Sequence, residues 1–138
     1  MKRIALTIVP LLAIAGMAMG AGTPAPKDAK VYIITPADGA TVASPVKVVF
    51  GLSEMGVAPA GISQPKTGHH HLLIDSSLKD KKAPIPKDAK HVHFGGGQTE
   101  TELKLAPGKH TLQLVLGDAA HIPHNPPVMS EVITIVVQ

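Results

Sequence analysis

Val46-Lys47-Val48-Val49-Phe50-Gly51-Leu52, set off by Ser44-Pro45, is the stretch on which the fold turns. It is an apolar run rich in β-branched residues behind a turn signal, which predicts a core strand. Working outward, Val31-Tyr32-Ile33-Ile34 predicts another strand, ended by Thr35-Pro36-Ala37-Asp38-Gly39. Residues 69–75, 91–94, 99–105, 110–116 and 128–137 predict five more, each bounded by Gly or Pro. Pro107-Gly108 suits the central pair of a type II turn, since Pro fixes φ and Gly accepts a positive φ. The strands at 99–105 and 110–116 are therefore expected to form a hairpin. No segment holds a helical period. Short strands without intervening helices predict an all-β chain, an immunoglobulin-like antiparallel β-sandwich of about seven strands.

Before that domain, Lys2 and Arg3 precede an apolar run from Ile4 to Met19, and small residues follow at 20–22. This order predicts a secretory signal peptide over 1–21, cleaved near residues 20 to 22. The run is shorter than a membrane span needs. Residues 22–30, rich in Pro, Ala and Lys, are expected to be a disordered lead-in, with a single β-sandwich domain over 31–138. There is no cysteine, so neither a lipid-modified cysteine nor a disulfide is available. A periplasmic protein without a membrane anchor is expected. The formal charge of +3 counts Lys2 and Arg3, and without them 11 basic residues face 10 acidic ones. That balance leaves no nucleic-acid footprint, and Tyr32, Phe50 and Phe94 are too few aromatics for a stacking platform.

Seven of the eight histidines fall in three groups: His69-His70-His71, His91 with His93, and His121 with His124. Side chains alternate along a strand, so His69 and His71 share one face while His70 joins Leu72 and Ile74 on the other. His91 and His93 share a face in the same way. Two such pairs on neighbouring strands converge four imidazoles, a donor set that suits copper(II), zinc or nickel, with copper favoured by affinity and zinc as the alternative. The long connection 118–127 can bring His121 or His124 over the sheet end. Met55, in the connection 55–68, offers a thioether suited to copper(I). The expected metal ligands are His69, His71, His91, His93 and His121, with Glu100 and Asp75 as carboxylates that orient ligating imidazoles through their second nitrogen. Asp118 reads as a turn former of comparable kind. His110, beside the Pro107-Gly108 turn, reads as a turn-capping residue and Met129 as a core residue.

Enzyme chemistry finds little purchase. Cysteine is absent, the serines lie in no nucleophile motif, and the acids show no pairing suited to glycoside hydrolysis. Gly95-Gly96-Gly97 has no helix after it and is no phosphate loop. His91-Val92-His93-Phe94-Gly95 resembles the copper-ligating strand of copper/zinc superoxide dismutase over five residues, but that family's cysteines are missing.

A longer likeness rests on Gly68-His69-His70-His71-Leu72-Leu73-Ile74-Asp75, on His93-Phe94-Gly95-Gly96-Gly97-Gln98-Thr99-Glu100, and on Pro107-Gly108-Lys109-His110-Thr111-Leu112. Together these resemble the bacterial exported family known as domain of unknown function 4399, over about Gly51 to Val137. The resemblance implies a small periplasmic β domain and assigns no reaction. Pro36-Ala37-Asp38-Gly39-Ala40-Thr41-Val42 is also similar to the opening of immunoglobulin-like copper-resistance carriers, a pattern shared by many β-sandwiches. The expectation is a histidine-rich metal-binding protein that sequesters or carries copper and is not an enzyme. The rival is a structural or interaction module of the cell envelope, its histidines forming a buried hydrogen-bonded network; no protein partner is indicated.

Overall fold

Alternating burial along residues 46–53 sets the first sheet. In the computed structural model, which describes residues 22–138, strand β3 (Val46–Ser53) turns Val46, Val48 and Phe50 inward and Lys47 outward. It pairs antiparallel with β1 (Lys30–Thr35) on one side and with β7 (Glu100–Leu103) on the other. The signal peptide expected at 1–21 lies outside the described residues.

The second sheet is built on β5 (Thr67–Ile74) and β8 (Gly108–Gly117), paired antiparallel from His69 opposite Gly117 to Ile74 opposite Leu112. β9 (Ile133–Val137) extends it beyond β8, and the short β2 (Thr41–Val42) runs parallel to β9 at the edge. On the far side of β5, β4 (Gly56–Val57) pairs parallel with Thr67 and Gly68, while β6 (His91–His93) pairs antiparallel with His71 to Leu73. A three-stranded β1-β3-β7 sheet facing a β9-β8-β5 sheet is the strand order of an immunoglobulin-like sandwich. All seven expected strands are present, with β2 and β4 as two-residue additions.

Between the sheets, Val48, Leu72, Leu112, Leu114, Leu116 and Ile135 are fully buried. Each such side chain contributes roughly 1.5–3 kcal/mol of burial free energy. His70 points into this layer from β5, with its ring centroid 5.1 Å from that of Phe50.

Two expectations change. Residues 99–105 and 110–116 do not form a hairpin: β7 joins the first sheet and β8 the second, so the Pro107-Gly108 turn carries the chain from sheet to sheet. Gly108 does take a positive φ, 128°. Pro107 bends the chain and Gly108 opens β8, but a Pro-Gly pair does not decide which edge each flank finds. The 22–30 stretch, expected as a disordered lead-in, lies against the domain. Ala25 N–H donates to Asn125 O, Asn125 N–H donates to Thr23 O, and Ala25 and Ala29 pack on the core.

Candidate metal centre

Strand β5 is buried on both faces, and the face turned away from the sandwich core carries the site. His70, Leu72 and Ile74 point inward, and His69, His71 and Leu73 point outward. The outer side is roofed by the connections 76–90 and 118–130, where Ile85, Leu78 and Met129 pack on Leu73 and Val115. His69 and His71 are thus buried, at 0% and 1% exposure, although no sheet covers them.

Antiparallel pairing sets His93 of β6 opposite His71, and their ring centroids are 5.0 Å apart. His121 arrives from the loop after β8. Asp118 shapes that loop: its Oδ1 accepts from Ala120 N–H (2.9 Å) and Ile122 N–H (3.0 Å), and its Oδ2 accepts from Thr23 N–H (3.1 Å). Within this Asp-anchored turn His121 takes a positive φ of 64°, a conformation uncommon outside glycine. The His121 carbonyl accepts from Ile85 N–H at 2.8 Å, tying the two roofing connections together.

Two glycines make room for the rings. A Cβ on Gly117 would lie 2.7 Å from His71 Nε2, and one on Gly95 would lie 2.3 Å from His93 Cε1. The imidazoles therefore occupy space that any other residue at 117 or 95 would fill.

His69, His71, His93 and His121 each present a ring nitrogen, and these four atoms all lie within 4.8 Å of one another. His69 Nε2 is 3.0 Å from His71 Nε2 and 3.1 Å from His121 Nδ1. A neutral imidazole nitrogen carries one proton or one lone pair, not both, so His69 Nε2 cannot fully satisfy both neighbours. His69 Nδ1, His71 Nδ1 and His93 Nε2 are buried without a protein hydrogen-bond partner. Burial, then the positive charge that protonated His93 and His121 would add, lowers the His69 pKa from 6.5 to about 4. Burial, followed by the neighbouring His69, lowers that of His71 to about 3. The His93 pKa is lowered as well, by burial, His121 and Lys87 in that order. All three are neutral at physiological pH, with lone pairs available to a cation.

The remaining expected residues fall elsewhere. His91, opposite Leu73, lies outside the cluster: its Nδ1 is 2.8 Å from Asp88 Oδ1 and its Nε2 3.1 Å from Ser76 Oγ. Sharing a strand face with His93 did not suffice, because Asp88 and Ser76 at the strand end hold its ring. Asp75 faces His110 Nδ1 at 2.7 Å and accepts from Thr111 N–H. Glu100 pairs with Lys47 at 3.4 Å on the other sheet. Neither acid orients a cluster imidazole; Asp118, the turn former, instead positions His121. His124 is buried, with Nε2 3.0 Å from Thr67 O and Nδ1 3.3 Å from Leu116 O. Met55 packs against the sandwich core. Gly117, Lys87 and Ile85 escaped the sequence reading, since nothing in their local pattern shows which ring they face.

Residues 48–138 match the family described as Domain of unknown function (DUF4399), well over half of the 138-residue chain. No curated protein matches. Among solved structures, fibronectin(III)-like modules of Clostridium thermocellum CbhA are similar over 78% of this chain and 92% of theirs, at 14% sequence identity and a TM-score of 0.35. No helix among the described residues is long and apolar enough to cross a membrane.

Proposed function

We propose that this chain, which belongs to the Domain of unknown function (DUF4399) family, binds a transition-metal ion, copper by preference, through His69, His71, His93 and His121. In this reading it sequesters or carries the ion in the periplasm and is not an enzyme. One observation carries the proposal: four imidazoles converge where hydrogen bonding cannot satisfy them. Ligands at 2.0–2.1 Å in a tetrahedral shell stand about 3.3–3.4 Å apart, close to the 3.0 and 3.1 Å separations among His71, His69 and His121. A cation at the centre converts that mutual frustration into four donor bonds. An all-imidazole set suits copper, zinc or nickel, and affinity order favours copper(II).

The hydrogen-bonded network of a structural module describes His91, His110 and His124 better. His91, His110 and His124 each face a carboxylate, hydroxyl or carbonyl; the four clustered rings face one another. Calorimetric titration of the protein with copper(II) and zinc tests the reading. Micromolar or tighter affinity is expected, lost in the His69→Ala/His71→Ala variant. Affinities no better than millimolar, or a double variant that binds as tightly, would overturn it. Export rests on the charged and apolar order of residues 1–21; protein recovered from the periplasm should begin near residue 22.

A further inference from the structure

The cluster has four donors but no anionic ligand among them. All four ligating groups are imidazoles, which bring no negative charge, so a divalent ion would bring two positive charges into a largely buried pocket. Desolvating charge is costly unless opposite charge accompanies it. Asp118 is the carboxylate whose charge acts on His69, but its oxygens are held by the N–H groups of Thr23, Ala120 and Ile122. It cannot join the donor set without dismantling the loop that presents His121.

The outer side of the cluster opens on a cavity of ≈ 200 Å³, lined by His71, Pro84, Ile85, Lys87, His93 and His121. Apart from the imidazoles, its walls are apolar except for Lys87. Lys87, exposed and lining this cavity beside His93 and His121, places an ammonium at its rim. Three of the four proposed ligands line this cavity, so it meets the metal position from the side that His69 does not close.

We propose that the metal-loaded centre takes one small monovalent anion, of the halide or pseudohalide class, as a further ligand from this cavity, with the Lys87 ammonium as its second partner. The inference rests on the metal-binding reading above. An anion there neutralises one of the two excess charges and pairs with Lys87 in a cavity otherwise walled by Pro84 and Ile85.

The test is azide titration of the copper(II)-loaded protein in chloride-free buffer at constant ionic strength, followed by the azide-to-copper charge-transfer band, with chloride as competitor. Wild type should show a saturable band that chloride suppresses. Lys87→Gln should load the same copper and bind azide about tenfold more weakly, the size of one charge acting across several ångströms of partly screened medium. Lys47→Gln, on the other sheet, should bind azide as wild type does. Copper taken up with no azide band overturns the anion site alone, and equal azide affinity in Lys87→Gln overturns the part given to Lys87. Failure to take up copper at all overturns the metal reading and this inference with it.

Discussion

The histidines of this chain settle in two different environments. At the rim, His110 stands between Asp75 Oδ2 (2.7 Å) and Ala106 O (2.8 Å), two acceptors that favour the protonated ring. Its pKa is raised, first by the Asp75 hydrogen bond and then by the Ala106 carbonyl. On the roofed face of β5, His69 and His71 meet no carboxylate and no carbonyl, and their pKa values fall to about 4 and about 3, chiefly through burial. The same side chain thus has its protonated form stabilised by two acceptors at one site and is a neutral, under-bonded donor at the other. Burial without an acceptor costs roughly 1–3 kcal/mol per polar group, so the roofed face holds a polar cluster at some expense to the fold.

The contrast breaks most sharply under substitution. A four-ligand structural zinc site is worth about 10–16 kcal/mol, or about 3 kcal/mol per ligand, so His69→Ala/His71→Ala should weaken metal binding by more than about a thousandfold. His91→Ala and His110→Ala should leave it within about threefold, because rings already held by Asp88 and Asp75 contribute no donor. Calorimetry on the three variants decides this; comparable losses in all of them would erase the distinction.

Gly117→Ala keeps every ligand yet places a Cβ 2.7 Å from His71 Nε2. Displacing one ligand should cost about 10–100-fold in metal affinity, the scale on which misoriented ligands weaken such sites. Asp118→Ala should cost a similar factor by releasing the turn that presents His121, together with about 1–3 kcal/mol of stability from orphaned N–H groups. Unfolding and binding titrations on both variants separate the two effects: Gly117→Ala should lose chiefly affinity, Asp118→Ala both.

A pH series sharpens the comparison further. His69 and His70 fall to about 4 in the folded chain against 6.5 in the unfolded chain. The unfolded chain therefore binds more protons between those values, and the metal-free protein should lose stability as pH drops from about 6.5 toward about 4. His70→Leu, on the inner face against Phe50, should soften that loss. His110 has the opposite sign: its raised pKa stabilises the fold below about 6.5, and the gain disappears as pH rises through its folded value. Because the Asp75 side of that pair is more than a third exposed, His110→Ala should cost no more than about 1 kcal/mol at acidic pH and less at alkaline pH. Denaturant unfolding across the range checks both signs.

What the sequence disclosed about these two environments follows from period-two geometry. Strand alternation placed His69 and His71 on one face and His70 on the other, and strand pairing made His93 their neighbour. It could not separate His93 from His91, because the separation depends on Asp88 and Ser76, residues of an irregular connection whose path no periodicity encodes. Asp118 was legible as a turn former, but not as the residue that turns His121 inward. At Pro107-Gly108 the expected positive φ of glycine is present, but Pro107 is a bend and Gly108 opens β8, so the pair marks a crossing between sheets rather than a hairpin turn. Gly117 and Gly95 carry no local mark of the rings that overlie them; only the paired register of β5 and β8 and the fold of β6 reveal why a side chain is missing there.

Whether four imidazoles share one ion is read from X-ray absorption at the metal edge of zinc-loaded and copper-loaded protein. A shell of imidazole nitrogens is expected, at about 2.0–2.1 Å in the zinc form, with the outer-ring scattering of three to four histidines and a loss of that signal in the His69→Ala/His71→Ala variant. A shell dominated by water or carboxylate oxygen, or one unchanged in the double variant, would contradict it.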